Sequence, residues 1–172
     1  EALYLGILSD SARFLGHLWE EDRCDFAQVT ISVGRLQQVA RLLSADFQSA
    51  AVLASNGYSI LLLPAPGEQH TFGLLMLAEF FQRSGWRVTG GPGLARENPV
   101  EMVRNTWFDL AGFSIGSESM IGSLTVCIRK VRRASRNRGL GVMVGGPVLL
   151  IRQDLASLVG ADAAATDAPG AI

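Results

Sequence analysis

The sequence predicts an α/β fold: a doubly wound parallel sheet of five strands, preceded by a helical cap. Three observations carry that expectation. From Tyr58 onward, short apolar runs alternate with helix-period segments, the signature of βαβ units. In residues 1–54 apolar residues recur at three and four, with no strand signal. Glycine-bearing turns fall at the carboxyl ends of three predicted strands, at Gly67–Gly73, Ser114–Ser117 and Gly145–Pro147.

The cap, residues 1–54, begins with Leu3, Leu5, Ile7 and Leu8, then Phe14, Leu15, Leu18 and Trp19, all at helical spacing. A second helix follows, with Asp25 as N-cap and Val29, Val33, Leu36, Val39, Ala40 and Leu43 along one face. Two or three helices make a thin core, so this piece is expected to pack on another surface. Residues 55–172 form the α/β domain. Strands are expected at Tyr58–Leu63, Arg87–Gly90, Leu110–Ser114, Gly141–Gly145 and Ala161–Ala165. Helices are expected at Thr71–Ser84, Pro99–Asn105, Glu118–Arg136 and Leu149–Val159. Four crossovers of this kind give a flavodoxin-like sheet. Thr166–Ile172 is too short for a closing helix and contains Pro169-Gly170, and the chain starts at Glu1 without an initiator methionine, so a fragment of a longer protein is expected.

Composition narrows the function classes. A chain of 172 residues that is 48% hydrophobic can bury one sizeable core. A net charge of -1 generates no global field for nucleic acid or anionic membrane. No apolar run reaches the roughly 18 residues of a membrane helix. Cys24 and Cys127 lie in separate predicted helices without metal or redox spacing, as expected of free thiols in a reducing cytoplasm.

His70 is the most informative candidate. It stands in Ala65-Pro-Gly-Glu-Gln-His70-Thr-Phe-Gly73, between a predicted strand and a long helix. Ligands of open α/β sheets bind there, and histidine is the commonest protein ligand for metals. Catalysis finds no support: the sequence has no nucleophile elbow, phosphate loop or two-histidine metal motif, so a non-enzyme is expected. Asp109 and Asp154 read as solvated carboxylates. The basic run Arg129–Arg138 reads mainly as a solvated helix end favoured by the dipole; docking of an acidic partner stays open, and direct DNA binding is not expected.

Glu68-x-His70-x-x-Gly73, then about forty residues to Ser114-x-Gly116, then Gly145-Gly146, resembles the cobalamin-binding fold of methionine synthase, methylmalonyl mutases and corrinoid proteins. That family carries D-x-H-x-x-G, S-x-L and G-G at closely similar separations. The resemblance covers residues 58–165 and implies that His70 is the axial metal ligand and Glu68 its orienting carboxylate. It further implies that Ser114 contacts a buried nucleotide tail and that Gly145-Gly146 forms a turn that makes room. Two positions depart from the pattern: glutamate replaces aspartate at 68, and glycine replaces leucine at 116.

The residues from Trp19 to Gln37 resemble the cap of cobalamin-type light and redox regulators, in which W-x9-E-H places a tryptophan over the corrin and a histidine as upper ligand. Val29-Thr30 stand where Glu-His would be. The resemblance is nearest to the SCHIC domain, a sensor containing heme instead of cobalamin, of antirepressors in photosynthetic proteobacteria. It implies heme as cofactor, with cobalamin as the alternative; a flat macrocycle at this edge would find apolar walls in Trp19, Phe26 and Phe72. It also implies a transcription repressor of the PpsR type as partner, and a flavin only in an upstream domain outside this sequence. His17, the other histidine, lies two residues from Trp19 and does not share its helical face, so solvent or a capping bond is its expected environment. The readings that remain beside heme sensing are a corrinoid carrier and a cofactor-free interaction module.

Overall fold

The computed structural model describes residues 3–49, 55–91 and 97–172. Two compact units emerge, Glu1–Val52 and Leu53–Ile172.

The first unit is helical. A π-helical segment, Leu3–Leu8, runs into α1, Ser9–Glu20, and α2 spans Phe26–Ser49. Helix α1 stops in a Schellman motif, with Arg23 N–H donating to the Leu18 carbonyl at 2.9 Å and Asp22 N–H to that of Trp19 at 3.1 Å. Asp22 takes the left-handed position (φ 53°), which aspartate tolerates better than most residues. Asp25 caps α2 as expected and completes a capping box: its Oδ1 accepts from Gln28 N–H at 2.8 Å, and Gln28 Oε1 accepts from Asp25 N–H at 2.9 Å. Cys24 lies in this turn and not in a helix, because the two caps consume the intervening residues.

The second unit is a five-stranded parallel sheet in the order β2-β1-β3-β4-β5, the doubly wound order expected. The strands are β1 Ser59–Pro64, β2 Arg87–Gly90, β3 Leu110–Ser114, β4 Gly141–Gly145 and β5 Ala163–Ala165. Helices α3 Phe72–Arg83, α4 Pro99–Asn105, α5 Ile121–Ala134 and α6 Leu155–Val159 connect them. Every residue of β1 is buried, as a central parallel strand covered on both faces requires. Alternation divides its side chains: Leu61 and Leu63 pack with Phe113, Leu124, Ile128 and Val144, while Ile60 and Leu62 pack with Leu74, Phe81 and Met143.

Three elements differ from expectation. The helix expected over Leu149–Val159 is broken into a 3-10 turn, Pro147–Leu150, and α6. Between them Arg152 holds Asp154 bidentately at 2.9 and 3.0 Å, and aspartate favours a helix start over an interior. The helix expected from Glu118 is α-helical only from Ile121, after a 3-10 turn, and ends at Ala134, where Ser135 turns extended and its hydroxyl accepts from Asn137 N–H. Strand β5 starts at Ala163 and not at Ala161, since Asp162 turns its carboxylate to Val142 N–H at 2.7 Å and to Arg132 at 2.8 Å.

Neither Asp109 nor Asp154 is a plain solvated carboxylate. Asp109 ties the starts of β1 and β3 together, accepting from Ser59 N–H (2.8 Å), the Ser59 hydroxyl (2.9 Å) and Trp107 Nε1–H (3.1 Å). Among the described residues, no helix is long and apolar enough to cross a membrane.

Candidate functional site

The carboxyl ends of the central strands β1 and β3 form the switch point of this sheet, where successive connections leave in opposite directions. Beyond β1, the chain makes a turn over Ala65–Glu68, closed by Glu68 N–H to the Ala65 carbonyl at 2.9 Å. Proline at its second position and glycine at its third (Gly67, φ 92°) are the residues a type II turn selects. The turn directs the Glu68 side chain inward, and that side chain is 1% exposed.

Every oxygen of this buried carboxylate is occupied. Oε1 accepts from Gln69 N–H (2.8 Å), His70 N–H (2.8 Å) and His70 Nδ1 (2.7 Å). Oε2 reaches across the switch point to accept from Gly116 N–H at 2.5 Å. Burial alone would raise the Glu68 pKa; the bonds from His70, backbone and ring, and from Gly116 outweigh it and hold the carboxyl below its ordinary value. An ionised carboxylate only accepts, so His70 Nδ1 carries the proton. In the neutral imidazole the lone pair then sits on Nε2, and the His70 side chain is 92% exposed. A carboxylate behind the far nitrogen of an outward-facing neutral imidazole is the donor arrangement found behind metal-bound histidines.

The other expected site residues divide by position. Ser114 ends β3 between Pro64 and Gly145, its carbonyl accepting from Ala65 N–H at 2.8 Å. Gly116 adjoins Glu68 so closely that a Cβ there would lie 2.5 Å from Oε2. Gly145 accepts at its carbonyl from Ile115 N–H at 2.9 Å. Gly146 has φ 118°, and the space a side chain would take is filled by the Ile115 backbone, at 2.3 Å from its carbonyl oxygen. These two glycines therefore bring the β3 and β4 loops against each other. Gly73, in the first turn of α3, has open space around the position of a Cβ, and Phe72 beside it is half-buried. Trp19 belongs to the first unit, where it is 46% exposed and meets Phe26 edge-on at 6.3 Å between ring centroids. In that unit the Thr30 hydroxyl donates to its own helix, to the Phe26 carbonyl at 2.7 Å, and His17 is exposed with Nδ1 3.6 Å from Glu20.

Sequence reasoning assigned Glu68 only to His70 and missed its second partner. The readable signal was the coupled departure itself: a carboxylate longer by one methylene at 68, and a side chain removed at 116. Beside Gly116 lies an open groove of about 350 Å³, lined also by Ser117, Glu118, Pro147, Val148 and Ile151 and bordered by the ion pair of Arg152 with Glu118 at 3.3 Å. Beneath the loops, Phe113, Ile115, Val144, Val148 and Leu149 pack together in the buried core.

Comparison with known proteins agrees with this architecture. A protein of Rhodobacter capsulatus, described as an uncharacterized 20.5 kDa protein in the bchF-crtJ intergenic region, is 32% identical over 162 residues, 93% of this chain and 83% of the relative. Among solved structures, the monomethylamine corrinoid protein of Methanosarcina barkeri has TM-score 0.75 at 17% identity, covering 94% of this chain and 76% of that one. A cobalamin-binding protein of Desulfitobacterium hafniense DCB-2 has TM-score 0.57 at 18% identity, covering 98% and 78%. At such identities the two structures speak for the fold alone. Residues 58–172 match the B12 binding domain, and the chain belongs to that family.

Proposed function

We propose that this chain is a non-catalytic sensory module that binds a metal-centred tetrapyrrole, heme in preference to cobalamin, through Nε2 of His70. The observation that carries the reading is the Glu68–His70 pair: a buried carboxylate bonds Nδ1, which directs the other ring nitrogen outward as the one available to a metal. Heme would supply an iron centre whose ligation responds to redox state or to small ligands. Glu68 aims the imidazole and raises its basicity, Gly73 leaves open space at the start of α3, and the sheet edge offers backbone and small residues to a flat macrocycle.

The preference for heme rests on packing. A macrocycle with a nucleotide tail would need room for it beside Ser114, where Gly146 abuts the Ile115 backbone and Phe113, Ile115, Val148 and Leu149 fill the layer beneath; the open groove beside Gly116 is lined by Glu118 and bordered by its ion pair with Arg152. A macrocycle without a tail displaces none of them. The corrinoid reading is favoured by the family match and by the two structural neighbours, whose titles name a corrinoid protein and a cobalamin-binding protein.

The regulatory part of the reading rests on the SCHIC resemblance. Ligand-dependent rearrangement of the helical cap would alter a surface recognised by a transcription repressor of the PpsR type, in proportion to the ligand's differential affinity for the two arrangements. Titration with hemin and with hydroxocobalamin, followed at the Soret and corrin bands for wild type and His70→Ala, tests the site. A saturable hemin shift abolished by His70→Ala supports it. An unchanged shift in the variant, or none in the wild type, sinks the axial role. Tight hydroxocobalamin binding without a hemin shift transfers the site to corrinoids.

A further inference from the structure

Helix α5 turns Leu124, Cys127, Ile128 and Val131 into the core. Its opposite face carries Gly122, Val126, Arg129, Lys130 and Arg133, all exposed, with Val126 47% exposed. Gly122, Val126, Arg129 and Arg133 are spaced by four, three and four residues, the spacing of a coiled-coil seam.

The cations after Val126 separate into two groups. Arg132 is structural, bonding the Gly160 and Leu140 carbonyls and pairing with Asp162 at 2.8 Å; Arg136 bonds the Asn105 carbonyl at 3.1 Å and Arg138 that of Arg133 at 3.4 Å. Among the described residues, the side chains of Arg129, Lys130 and Arg133 make no hydrogen bond or ion pair. Nearby acids are already engaged: Asp162 with Arg132, and Glu101 of the neighbouring α4 with Arg104 at 2.5 Å. Six of the chain's 15 Lys and Arg residues fall within 129–138 with no acid among them, although the net charge is -1. Like charges three and four apart on a helix repel, so this face gains from an external counter-charge.

We infer that the outer face of α5 is a docking surface for an acidic amphipathic helix of another protein. Carboxylates flanking an apolar seam would pair with Arg129, Lys130 and Arg133, an apolar side chain would cover Val126, and Gly122 lets the partner backbone approach at the other end. The 14 residues of α5 span about 21 Å, room for about four turns of a partner. An apolar residue within the seam favours a helix over a phosphate backbone, which needs only cations. A second copy of the same face would bring like charges together. The inference stands independently of the tetrapyrrole site.

The test uses the whole chain and a fluorescein-labelled helical peptide of about 20 residues, with leucines at seam positions and glutamates beside them, read by anisotropy. Saturable binding is expected, weakened about tenfold by Arg129→Ala with Arg133→Ala, several-fold by Val126→Ser, and not by Arg41→Ala in α2. Circular dichroism confirms that each variant keeps its helix content. Equal affinity for a scrambled peptide of the same composition would overturn the helix-docking claim, as would absence of saturation. Displacement of the peptide by a 20-base-pair duplex at lower concentration than by unlabelled peptide would reassign the face to nucleic acid. A dimer in sedimentation that the double variant dissociates would reassign it to self-association.

Discussion

Glu68 Oε2 lies 2.5 Å from the backbone nitrogen of Gly116, and a Cβ on residue 116 would stand at the same 2.5 Å from that oxygen. The carboxylate occupies what would be the start of a side chain. Glutamate at 68 and glycine at 116 are thus one arrangement, linking the loop that carries His70 to the loop that leads into α5.

Coupling between these positions follows. Gly116→Leu evicts a buried charged acceptor from its partner and is expected to cost about 2 kcal/mol, and Glu68→Asp, too short to bond both His70 and Gly116, about 1–2 kcal/mol. Together they should cost at least about 1 kcal/mol less than the sum, because aspartate vacates the space that leucine needs. Urea unfolding of the four proteins measures the cycle; strict additivity would refute the coupling.

His70→Ala should abolish the hemin-induced Soret shift while leaving the thermal midpoint within a few degrees. The ring is exposed, and the Glu68 carboxylate keeps its backbone donors from residues 69, 70 and 116. Glu68→Gln should weaken hemin binding less than His70→Ala, since an amide holds the ring but does not raise its basicity. Equal loss in the two variants would mean that Glu68 acts by folding the loop.

Gly146→Ala and Gly67→Ala both place a side chain at positive φ, but only the first meets backbone, 2.3 Å from the Ile115 carbonyl oxygen. Gly67→Ala is expected to cost about 1 kcal/mol, the conformational penalty alone. For Gly146→Ala at least about 3 kcal/mol is expected, because two strand-end loops must separate. Denaturant midpoints at matched slope rank them, and similar losses would show that the β3–β4 loop contact yields easily.

Acid stability should depend on Asp109. Burial would raise its pKa, but bonds from Trp107 and Ser59 and the nearby Arg87 guanidinium hold it below the ordinary aspartate value. A depressed folded-state pKa means that the unfolded chain binds the proton more readily, so this stabilisation is present above the unfolded value of about 4 and lost as pH falls through the folded one. Asp109→Asn should therefore be less stable than wild type at pH 7, with the gap narrowing toward pH 3. A gap independent of pH would assign Asp109 a purely steric role.

Much of the fold was legible because its signals are local. Apolar runs such as Ile60–Leu63 are short, β-buried and bounded by turn residues, and Arg87–Gly90, Leu110–Ser114 and Gly141–Gly145 fall where pattern places them. Pattern failed where a side chain competes with the backbone over distance. Asp162 takes the Val142 N–H and shortens β5; Arg152 and Asp154 interrupt an apolar segment that reads as one helix. His70 was legible from its position between strand and helix. Its tautomer was not, since that depends on a buried carboxylate held ionised by the backbone and ring bonds of His70 itself and by Gly116, 48 residues away.

The sequence by itself determined the parallel α/β class, the bounds of β2, β3 and β4, and the placement of His70 and its carboxylate at a strand end, because hydrophobic period and turn chemistry act over a few residues. Only the tertiary structure decided that Glu68 bridges the switch point and that Gly145-Gly146 closes two loops together. Only it decided, too, that the cations of α5 divide into structural and free. Each of these depends on which distant backbone group lies within hydrogen-bonding or contact distance, and that is set by strand order and register.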